Sequence, residues 1–305
     1  MNPIKRRTFV KAGLASSVIS FPSLGQALGA NDRVQVALVG CGGRGTQVTS
    51  SLASRSDVVC TQLCDIHEER LVRTADFIAK QQGGRKPLLA THMEEIFANK
   101  DVDAVVVATP DHWHTPTAIL ACQAGKDVYV EKPFSHNIWE GRKLVEAARK
   151  YKRVVQVGTQ NRSAPYNLAA RDYIQSGKLG DIRLVKVFNL KGGGPFHLGA
   201  PGQAPSGFPW KTWLGPAKAR PYHSKIFHGG WHYFWDYSGG DLADCGIHQL
   251  DLTIMVLGDP ATPKSVSASG GRLQHKGDDG EVPDVEILHY DYPEFVMTFE
   301  HSHFA

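Results

Sequence analysis

The chain has 305 residues, of which 34 are Lys or Arg, 30 are Asp or Glu, 42% are hydrophobic and five are Cys. Four of the basic residues and none of the acidic ones fall within the first 30 positions, so the remainder carries 30 residues of each sign. This balance excludes a protein that binds nucleic acid through a basic surface. No stretch after residue 30 approaches the roughly 18 consecutive apolar residues of a membrane span, so we expect none in the mature protein.

Residues 1–30 have the order of an export signal. The basic stretch Lys5–Lys11 precedes a modestly apolar run, Ala12–Leu24, and small residues offer cleavage sites at Ala27 and Ala30. The paired arginines followed by Thr-Phe-Val-Lys resemble a twin-arginine signal, which implies export of a folded protein to the periplasm. A basic amphipathic helix is the alternative, although Pro22 and the Ser and Gly content disfavour it.

From Arg33 onward, continuous apolar runs alternate with helical patterns. The predicted strands are Val34–Val39, Val58–Leu63, Val102–Ala108, Asp127–Glu131 and Val154–Val157, and the predicted helices are Glu68–Lys80, Pro116–Ala124 and Ile138–Lys150. Strands buried on both faces and separated by helices are typical of a doubly wound parallel sheet. We therefore predict an α/β fold with a Rossmann-type domain over residues 32–157.

Residues 158–305 follow a different pattern. A helix at Tyr166–Ser176 and a strand at Leu184–Leu190 lead into a Gly- and Pro-rich loop, Lys191–Pro209. A helix over Asp241–Leu257 is then followed by three strands, at Val266–Ser269, Val285–Tyr290 and Phe295–His301. This order predicts a C-terminal α+β domain with a mostly open mixed sheet, serving substrate binding and oligomer assembly. Because the last strand ends four residues before the C-terminus, we expect this sheet to be truncated.

The five cysteines do not predict a disulfide framework. Cys60 and Cys64 fall on one face of a single predicted strand, roughly four rises of 3.3 Å apart, which is too far for a disulfide. The other three fall on a glycine loop and two predicted helices: Cys41, Cys122 and Cys245. We expect buried free thiols and no zinc site.

A glycine-rich loop, Gly40–Gly45, directly follows the first predicted strand and opens a helix. It fits G-x-G-x-x-G, in which the glycines allow a tight turn, close approach of a pyrophosphate and close helix packing. Asp65 ends the second strand, where a carboxylate binds the adenosine ribose and repels a 2′-phosphate. We therefore expect NAD rather than NADP; a helix N-cap is the alternative role for Asp65. The expected phosphate-binding residues are Gly40, Gly42, Gly43, Arg44 and Gly45.

Two further segments place polar residues where catalysis would occur. Lys132 follows the strand that ends at Glu131 and faces the ligand crevice, although a solvated surface lysine is the alternative. On an ideal helix Asp244, His248 and Asp251 fall within about 60° of one another. Asp244 and His248 are i,i+4 neighbours that can touch, and a carboxylate beside an imidazole raises its basicity. A capping aspartate and a core histidine are the alternative for this pair.

The order of motifs resembles that of the glucose–fructose oxidoreductase / inositol dehydrogenase (Gfo/Idh/MocA) family. The motifs are the glycine loop, Thr109–His114, Glu131–Pro133, Gly158–Arg162, Trp210–Pro216 and Gly239–His248. The resemblance implies that three residues line the catalytic cleft: Lys132, Asp244 and His248. It also implies that the cofactor site is lined by Thr109, Pro110, Trp113, His114 and Glu131. Members of the family usually run on well beyond the point where this chain stops.

An aromatic stretch, Tyr222–Tyr237, holds seven aromatic residues among sixteen, against 9% in the whole chain. Rings beside hydrogen-bonding groups suit a carbohydrate; the alternative is that most of these rings fill the core or a subunit interface. The expected substrate contacts are Arg162, Trp231, Tyr233 and Trp235. Two histidine pairs, His112/His114 and His301/His303, have strand spacing but lack a third nearby ligand, so we expect no metal.

These residues favour an exported NAD-dependent oxidoreductase acting on a sugar, polyol or glycoside. His248 would take the hydroxyl proton, Asp244 would orient His248, and Lys132 would stabilise the developing carbonyl oxygen. Since free NAD is expected to be scarce outside the cytoplasm, we expect the cofactor to stay bound and to be regenerated in place. Some relatives of the family are redox-neutral glycosidases, which is one alternative; a cofactor-bound binding protein without activity is another. We expect a homo-oligomer.

Overall fold

The computed structural model describes residues 33–304, and the predicted export signal lies outside this range. The first half alternates strands and helices: β1 (Val34–Val39), α1 (Gly43–Ala53), β2 (Val58–Cys64), α2 (Glu68–Gln81), β3 (Leu88–Ala90), α3 (Met93–Ala98), β4 (Ala104–Val107), α4 (Asp111–Gln123), β5 (Asp127–Val130), α5 (Ile138–Tyr151) and β6 (Val155–Val157). The six strands are parallel, in the order β3-β2-β1-β4-β5-β6. The predicted Rossmann-type sheet is confirmed, and its order reverses between β1 and β4, where such folds bind ligands.

Both faces of this sheet are buried. In β1, Ala37 belongs to the core on one face and Leu38 to the core on the other. Strand β2 carries a bulge at Thr61, because the register skips that residue opposite the Val36–Ala37 step. The bulge puts Cys60 and Cys64 into different cores, so their predicted common face is wrong. All five cysteines lie within the described range and are free, as predicted, and Cys245 alone among them is not fully buried.

The short strand β3 was not predicted, and helix α4 starts earlier than predicted. Strand β3 has only three residues, an apolar run too short to predict a strand, and two of them are exposed. Helix α4 begins at Asp111 rather than Pro116, with Pro110 as its N-cap. Proline is most common in the first turn of a helix, which is why the sequence predicted a helix start at Pro116. In the structure Pro116 lies in the second turn of α4, where it lacks the N–H of one backbone hydrogen bond. The earlier start brings Asp111 to Trp113 to the edge of the sheet.

The second half comprises a 3₁₀ turn (Gln160–Ser163), α6 (Pro165–Gln175), β7 (Leu184–Gly192), α7 (Trp210–Leu214), α8 (Ser224–Phe227), a 3₁₀ turn (Gly230–Tyr233), a π-helical turn (Leu242–Gly246), α9 (Ile247–Val256), β8 (Ser265–Gly271), β9 (Val285–Asp291) and β10 (Val296–Phe304). The sheet order is β7-β10-β9-β8, with β7 and β10 parallel and the other pairs antiparallel. This confirms the predicted mixed sheet. One face packs on α9 through Met297 and Phe299; on the other face Phe188 and Ile287 are exposed.

The helix predicted over Asp241–Leu257 is in fact two pieces, the π turn and α9. A π turn closes i→i+5 hydrogen bonds and is therefore wider than an α-helical turn. Gly246 ends it beside the core, where a Cβ atom would lie 2.6 Å from the Phe299 ring. Asp244 lies in the π turn and His248 lies in α9. The two side chains therefore do not have the α-helical i,i+4 geometry from which their contact was predicted.

Most of the aromatic stretch fills a core cluster that joins the two halves. Phe227, Phe234 and Tyr237 are buried together with Trp213, and Ile66 from the end of β2 packs against them. The alternative reading of these rings as core is thus correct for most of them. Within residues 33–304 no helix combines the length and the apolar composition needed to cross a bilayer.

Candidate active site

A cleft of about 970 Å³ lies along the C-terminal edge of the parallel sheet. One wall is formed by the glycine loop and the ends of β2, β4 and β5. The other comes from the second half of the chain, chiefly Trp213, the segment Phe227–His232, and Asp244. A ligand in this cleft therefore contacts both halves.

The glycine loop has the shape of a pyrophosphate cradle. Gly40 has φ +99°, and a Cβ there would lie 2.5 Å from the Ala108 carbonyl oxygen. A Cβ on Gly45 would lie 2.0 Å from the Gly40 oxygen, whereas Gly42 and Gly43 face open space. Helix α1 begins without a side-chain cap and without an acid in its first turn. Its free N–H groups and the open glycines fit the phosphates of a dinucleotide.

Asp65 links the glycine loop to the start of α2. Its Oδ2 accepts a hydrogen bond from the Cys41 N–H (2.6 Å) and its Oδ1 accepts one from the His67 N–H (2.8 Å). Burial raises the pKa of the Asp65 carboxyl. The N-cap of α2 is His67, whose ring accepts from the Arg70 N–H (3.4 Å), so the alternative cap role is filled by another residue. Asp65 lines the cleft while it holds the loop.

Arg44 and Glu131 connect the glycine loop to the end of β5. Arg44 Nε donates to Glu131 Oε1 over 2.8 Å, and the Glu131 side chain is only 4% exposed. Glu131 also accepts a hydrogen bond from the Tyr129 hydroxyl (3.2 Å). Glu131 therefore lines the cleft and also holds Arg44 at the end of β5.

Ten of the eleven predicted cofactor residues line the cleft: Gly40, Gly42, Gly43, Arg44, Asp65, Thr109, Pro110, Trp113, His114 and Glu131. Gly45 lies behind them, packed on the Gly40 carbonyl. His114 donates through Nδ1 to the Pro133 carbonyl oxygen (2.7 Å). Burial lowers the pKa of His114, so this ring is neutral near pH 7.

Lys132 and Asp244 meet in the cleft, one from each half of the chain. Lys132 Nζ donates to Asp244 Oδ1 (2.5 Å) and to the Asp244 backbone oxygen (2.9 Å). The two side chains are 15% and 31% exposed, so Lys132 is not a solvated surface lysine. Burial raises the pKa of Asp244, but the Lys132 ammonium outweighs it and the net pKa lies below its ordinary value. Asp244 is therefore a carboxylate at neutral pH.

His248 does not have the partner that the sequence predicted. Although both residues lie in the described range, no hydrogen bond joins Asp244 to His248, because the π turn ends between them. His248 is not among the residues that line the cleft, and its Nδ1 is buried without a hydrogen-bond partner in the described part of the chain. Burial, reinforced by the Lys132 charge, lowers the pKa of His248.

His232 is the histidine that faces Asp244, and the sequence analysis missed it. Its Nε2 lies 3.9 Å from Asp244 Oδ1, and its Nδ1 donates to the Gly229 carbonyl oxygen (2.7 Å). The ring stacks on Trp231 with centroids 3.5 Å apart, and both rings line the cleft. The available signal was the interleaving of histidines in the aromatic stretch, which does not distinguish one histidine from another.

Of the four predicted substrate contacts, only Trp231 lines the cleft. Arg162 instead binds Asp251 through Nε (2.8 Å) and Asp259 through Nη2 (2.9 Å). These ion pairs raise the pKa of Arg162 despite the opposing effect of its partial burial. Arg162 joins the turn after β6 to α9, away from the cleft.

Tyr233 and Trp235 also lie outside the cleft. Tyr233 stacks on Phe196 with ring centroids 4.3 Å apart, within the aromatic core. Trp235 is 52% exposed, and its backbone oxygen accepts a hydrogen bond from His136 Nε2 (2.9 Å). The prediction of substrate contacts at these two positions is not supported by their placement.

The far end of the cleft is crossed by contacts between α2 and α8, which we call the α8 bridge. Phe227 stacks on His67 with centroids 5.4 Å apart, and the Arg70 guanidinium lies 4.4 Å from the Phe227 ring centroid. Arg70 Nη2 also contacts His228 Nδ1 (3.3 Å). Since the end of β2 marks the adenosine side in Rossmann folds, the bridge covers that side.

His301 and His303 do have a third polar neighbour, contrary to expectation. Asp241 Oδ2 lies 2.6 Å from His303 Nε2 and 3.5 Å from His301 Nε2. Lys191 Nζ donates to the other oxygen of Asp241, so this carboxylate already has a cation beside it. The group works as a hydrogen-bond network that ties β7 and β10 to the residue preceding the π turn.

Fold and cleft together define a two-part protein with a dinucleotide-binding type of domain. Two family profiles match the chain: "Oxidoreductase family, NAD-binding Rossmann fold" over residues 34–159, and "Oxidoreductase family, C-terminal alpha/beta domain" over residues 191–302. The chain belongs to the Gfo/Idh/MocA oxidoreductase family.

Two similar proteins carry the names of glycoside hydrolases, and a third is a dehydrogenase solved with a sugar nucleotide. A glycosyl hydrolase family 109 protein of Solibacter usitatus is 29% identical over 57% of this chain and 41% of its own length. An alpha-N-acetylgalactosaminidase of Shewanella oneidensis is 29% identical over 49% of this chain and 38% of its own. The WlbA dehydrogenase of Chromobacterium violaceum, solved with NADH and UDP-GlcNAcA, has a TM-score of 0.70 at 20% identity, covering 93% of this chain and 70% of that one. The chain thus spans about two fifths of the curated relatives it matches.

Proposed function

We propose that this protein is an NAD-dependent oxidoreductase that interconverts a hydroxyl and a keto group on a sugar, polyol or glycoside. The observation that carries the proposal is the Lys132–Asp244 pair, which lies in the same cleft as the glycine loop and is contributed by both halves of the chain. The names of the relatives, and the sugar nucleotide in the WlbA structure, support a carbohydrate as the substrate class.

Three residues of the cleft have separate roles in the proposed reaction. The nicotinamide, when bound, supplies the acceptor or donor of a hydride. Lys132 donates a hydrogen bond to the reacting oxygen and stabilises the negative charge that develops there. Asp244 keeps Lys132 in place through two hydrogen bonds. Trp231 supplies an apolar surface that excludes water and can stack on a sugar ring.

NAD is the proposed cofactor in preference to NADP. Asp65 lies at the end of β2 and lines the cleft. Although each of its oxygens accepts one backbone hydrogen bond, a carboxylate oxygen has room for a second donor, such as a ribose hydroxyl. The same negative charge disfavours a 2′-phosphate.

We further propose that the protein is exported by a twin-arginine signal and keeps its cofactor bound. The signal is the pattern in residues 1–30. The α8 bridge supports retention, since it covers the adenosine side with contacts from both halves of the chain. Retention would suit a periplasmic enzyme, which cannot exchange its cofactor with a cytoplasmic pool.

A redox-neutral glycoside hydrolase is the second candidate, because two relatives are named as glycoside hydrolases. Oxidation beside the glycosidic carbon, elimination, addition of water and reduction would use the same Lys132 and Asp244. The two candidates differ in their products, since only the hydrolase releases the aglycone without net change of the cofactor.

The test is to purify the protein without added nucleotide and to record absorbance at 340 nm. Glucose, N-acetylglucosamine, N-acetylgalactosamine and the 4-nitrophenyl α-glycosides of each are then added in turn. We expect bound dinucleotide whose 340 nm band rises with one sugar and falls with an added ketose, because the cleft can oxidise and reduce in place. Release of 4-nitrophenol without a lasting 340 nm band would instead support the hydrolase. Absence of bound nucleotide and of saturable NAD binding would contradict both.

The exposed face of the C-terminal sheet supports a homo-oligomer, which we also propose. Leu184, Phe188 and Leu190 of β7 and Ile287 of β9 are each about half exposed on this face. An exposed apolar patch of this kind can be buried against the same face of a second copy of the chain. We expect light scattering to give at least a dimer, and Phe188→Glu to lower the mass toward that of one chain. Trp139→Glu, at an exposed position on α5, is the control and should leave the mass unchanged; a monomeric wild-type protein would contradict the proposal.

A further inference from the structure

The side chain of His301 is buried with one ring nitrogen unsatisfied. His301 is 2% exposed, and its Nδ1 donates to the Asn189 carbonyl oxygen (2.9 Å), the nearer of two contacts with that residue. In the neutral ring Nε2 then carries a lone pair, and it has no hydrogen-bond partner in the described part of the chain. Asp241 Oδ2 faces this nitrogen at 3.5 Å. Two acceptors thus lie opposite each other, an arrangement that a cation between them would satisfy.

His303 brings a second imidazole to the same point. His301 and His303 are two residues apart on β10, so their side chains share one face of the strand. His303 is 4% exposed, and its Nε2 lies 2.6 Å from Asp241 Oδ2. The three ligand atoms all lie within 4.8 Å of one another. Bonds to Zn²⁺ of about 2.0–2.1 Å separate tetrahedral ligand atoms by about 3.3–3.4 Å, so the His301–Asp241 distance fits a metal and the His303–Asp241 distance must widen by about 0.7 Å.

The residues around Asp241 leave one of its oxygens for a metal. Lys191 Nζ donates to Oδ1, whereas Oδ2 is the oxygen near both histidines. The Lys191 side chain is 37% exposed, which gives ions a path from solvent. Glu286 pairs with His301 on the adjacent strand β9, and its carboxyl is close enough to Asp241 for their charges to repel. A divalent cation relieves this repulsion, but the Lys191 charge repels the cation, so we expect a Kd of about 1 µM.

We propose that Asp241, His301 and His303 bind a divalent transition metal, of which Zn²⁺ is the preferred ion. Two imidazoles and one carboxylate are a ligand set of catalytic zinc sites, in which water completes the coordination. Mg²⁺ and Ca²⁺ prefer oxygen ligands and would bind more weakly. Because a ligand nitrogen cannot carry a hydrogen, His303 exchanges its hydrogen bond to Asp241 for a bond to the metal.

The metal would connect two elements of the C-terminal half. His301 and His303 belong to β10, whereas Asp241 directly precedes the π turn that carries Asp244. A metal at this point holds the π turn against the sheet. None of the three ligands is among the described residues that line the cleft, so we expect the metal to stabilise the fold without contacting the substrate. The proposed oxidoreductase function does not depend on this site.

The test is metal binding by the full chain, purified without a histidine tag and freed of metal with EDTA. Calorimetric titration with Zn²⁺ alone should give one ion per chain with a Kd of about 1 µM, and Zn²⁺ should raise the melting temperature. His301→Gln and Asp241→Asn each remove one ligand. Both should lower the affinity for Zn²⁺ about 10²-fold or more, because even residues that only support a metal ligand contribute about 10–100-fold.

His275→Gln is the matched control for these substitutions. His275 lies against His303, with ring centroids 5.9 Å apart, but it is not one of the three ligands. The affinity of this variant for Zn²⁺ should match that of the wild type. Unchanged affinity in both ligand variants, a loss confined to His275→Gln, or no saturable binding by the wild type would overturn the inference.

Co²⁺ provides a test that does not depend on the folding of the variants. In a four-coordinate site of the wild-type protein, Co²⁺ should absorb visible light far more strongly than hydrated Co²⁺, and Zn²⁺ should abolish this absorption. X-ray absorption of the Zn²⁺-loaded protein should show two imidazole ligands. Co²⁺ that keeps the spectrum of the hydrated ion would overturn the inference. Failure of the Zn²⁺-loaded protein to turn over any of the carbohydrates would reject only the proposed function.

Discussion

Lys132→Met is expected to lower kcat by about 10²-fold or more while the purified protein keeps its bound dinucleotide. The ammonium is the one cation that hydrogen-bonds Asp244 among the described residues. Under the proposed function it stabilises the charge that develops on the substrate oxygen. Methionine keeps the length and the apolar stem of lysine and removes the charge. Turnover of the carbohydrate panel and the nucleotide released on denaturation measure the two effects separately.

Lys86→Met is the matched control for this substitution. Lys86 forms an ion pair with Asp76 at 2.8 Å, but both side chains are largely exposed and lie away from the cleft. An exposed pair of this kind is worth about 0–1 kcal/mol, so both activity and stability should stay close to the wild type. Wild-type turnover by Lys132→Met would remove the main support for the proposed function.

Two alanine substitutions in the glycine loop are expected to affect different properties: one lowers NAD affinity and the other lowers the stability of the fold. Gly42 has φ −67° and ψ 179°, which alanine adopts freely, and no atom lies within 4 Å of its added Cβ. Gly42→Ala should therefore leave the nucleotide-free protein as stable as the wild type, or more stable by up to about 1 kcal/mol. Its methyl group would occupy the space of the pyrophosphate, so NAD affinity should fall about 10²-fold or more.

Gly45→Ala should instead destabilise the protein itself. Its Cβ would lie 2.0 Å from the Gly40 carbonyl oxygen, and backbone atoms cannot move aside as a flexible side chain can. We expect the free energy of unfolding to fall by about 1–3 kcal/mol even without nucleotide. Thermal unfolding of the apo protein and fluorescence titration with NAD distinguish the two variants. Undiminished NAD binding by Gly42→Ala would contradict the assignment of the loop as the phosphate site.

The sequence predicts those parts of the site that depend on local pattern. Strands β1 and β4 are continuous apolar runs, so their burial and parallel pairing could be predicted. The glycine loop and Lys132 then follow from their position at strand ends, where a doubly wound sheet binds its ligands. That reasoning placed Gly40, Gly42, Gly43, Arg44 and Asp65 along the cleft, and the resemblance to the family supplied the other five expected cofactor residues that line it.

Contacts between distant segments could not be predicted in this way. The π turn has no local sequence signature, and it separates Asp244 from His248 and turns Asp244 toward Lys132, 112 residues away. Arg162 is occupied by Asp251, 89 residues further along the chain. His232 owes its orientation to a turn at Gly229 and to stacking on its own neighbour, which composition alone does not reveal.

The α8 bridge has a kinetic consequence. If the bridge of His67, Arg70 and Phe227 retains the dinucleotide as proposed above, release of the dinucleotide is slower than turnover. The two half-reactions must then alternate on a single cofactor molecule, as in a ping-pong mechanism. Double-reciprocal plots for an alcohol donor and a ketone acceptor would give parallel lines. Deuterium from the donor carbon would appear in the acceptor undiluted, even in the presence of excess unlabelled NADH in solution.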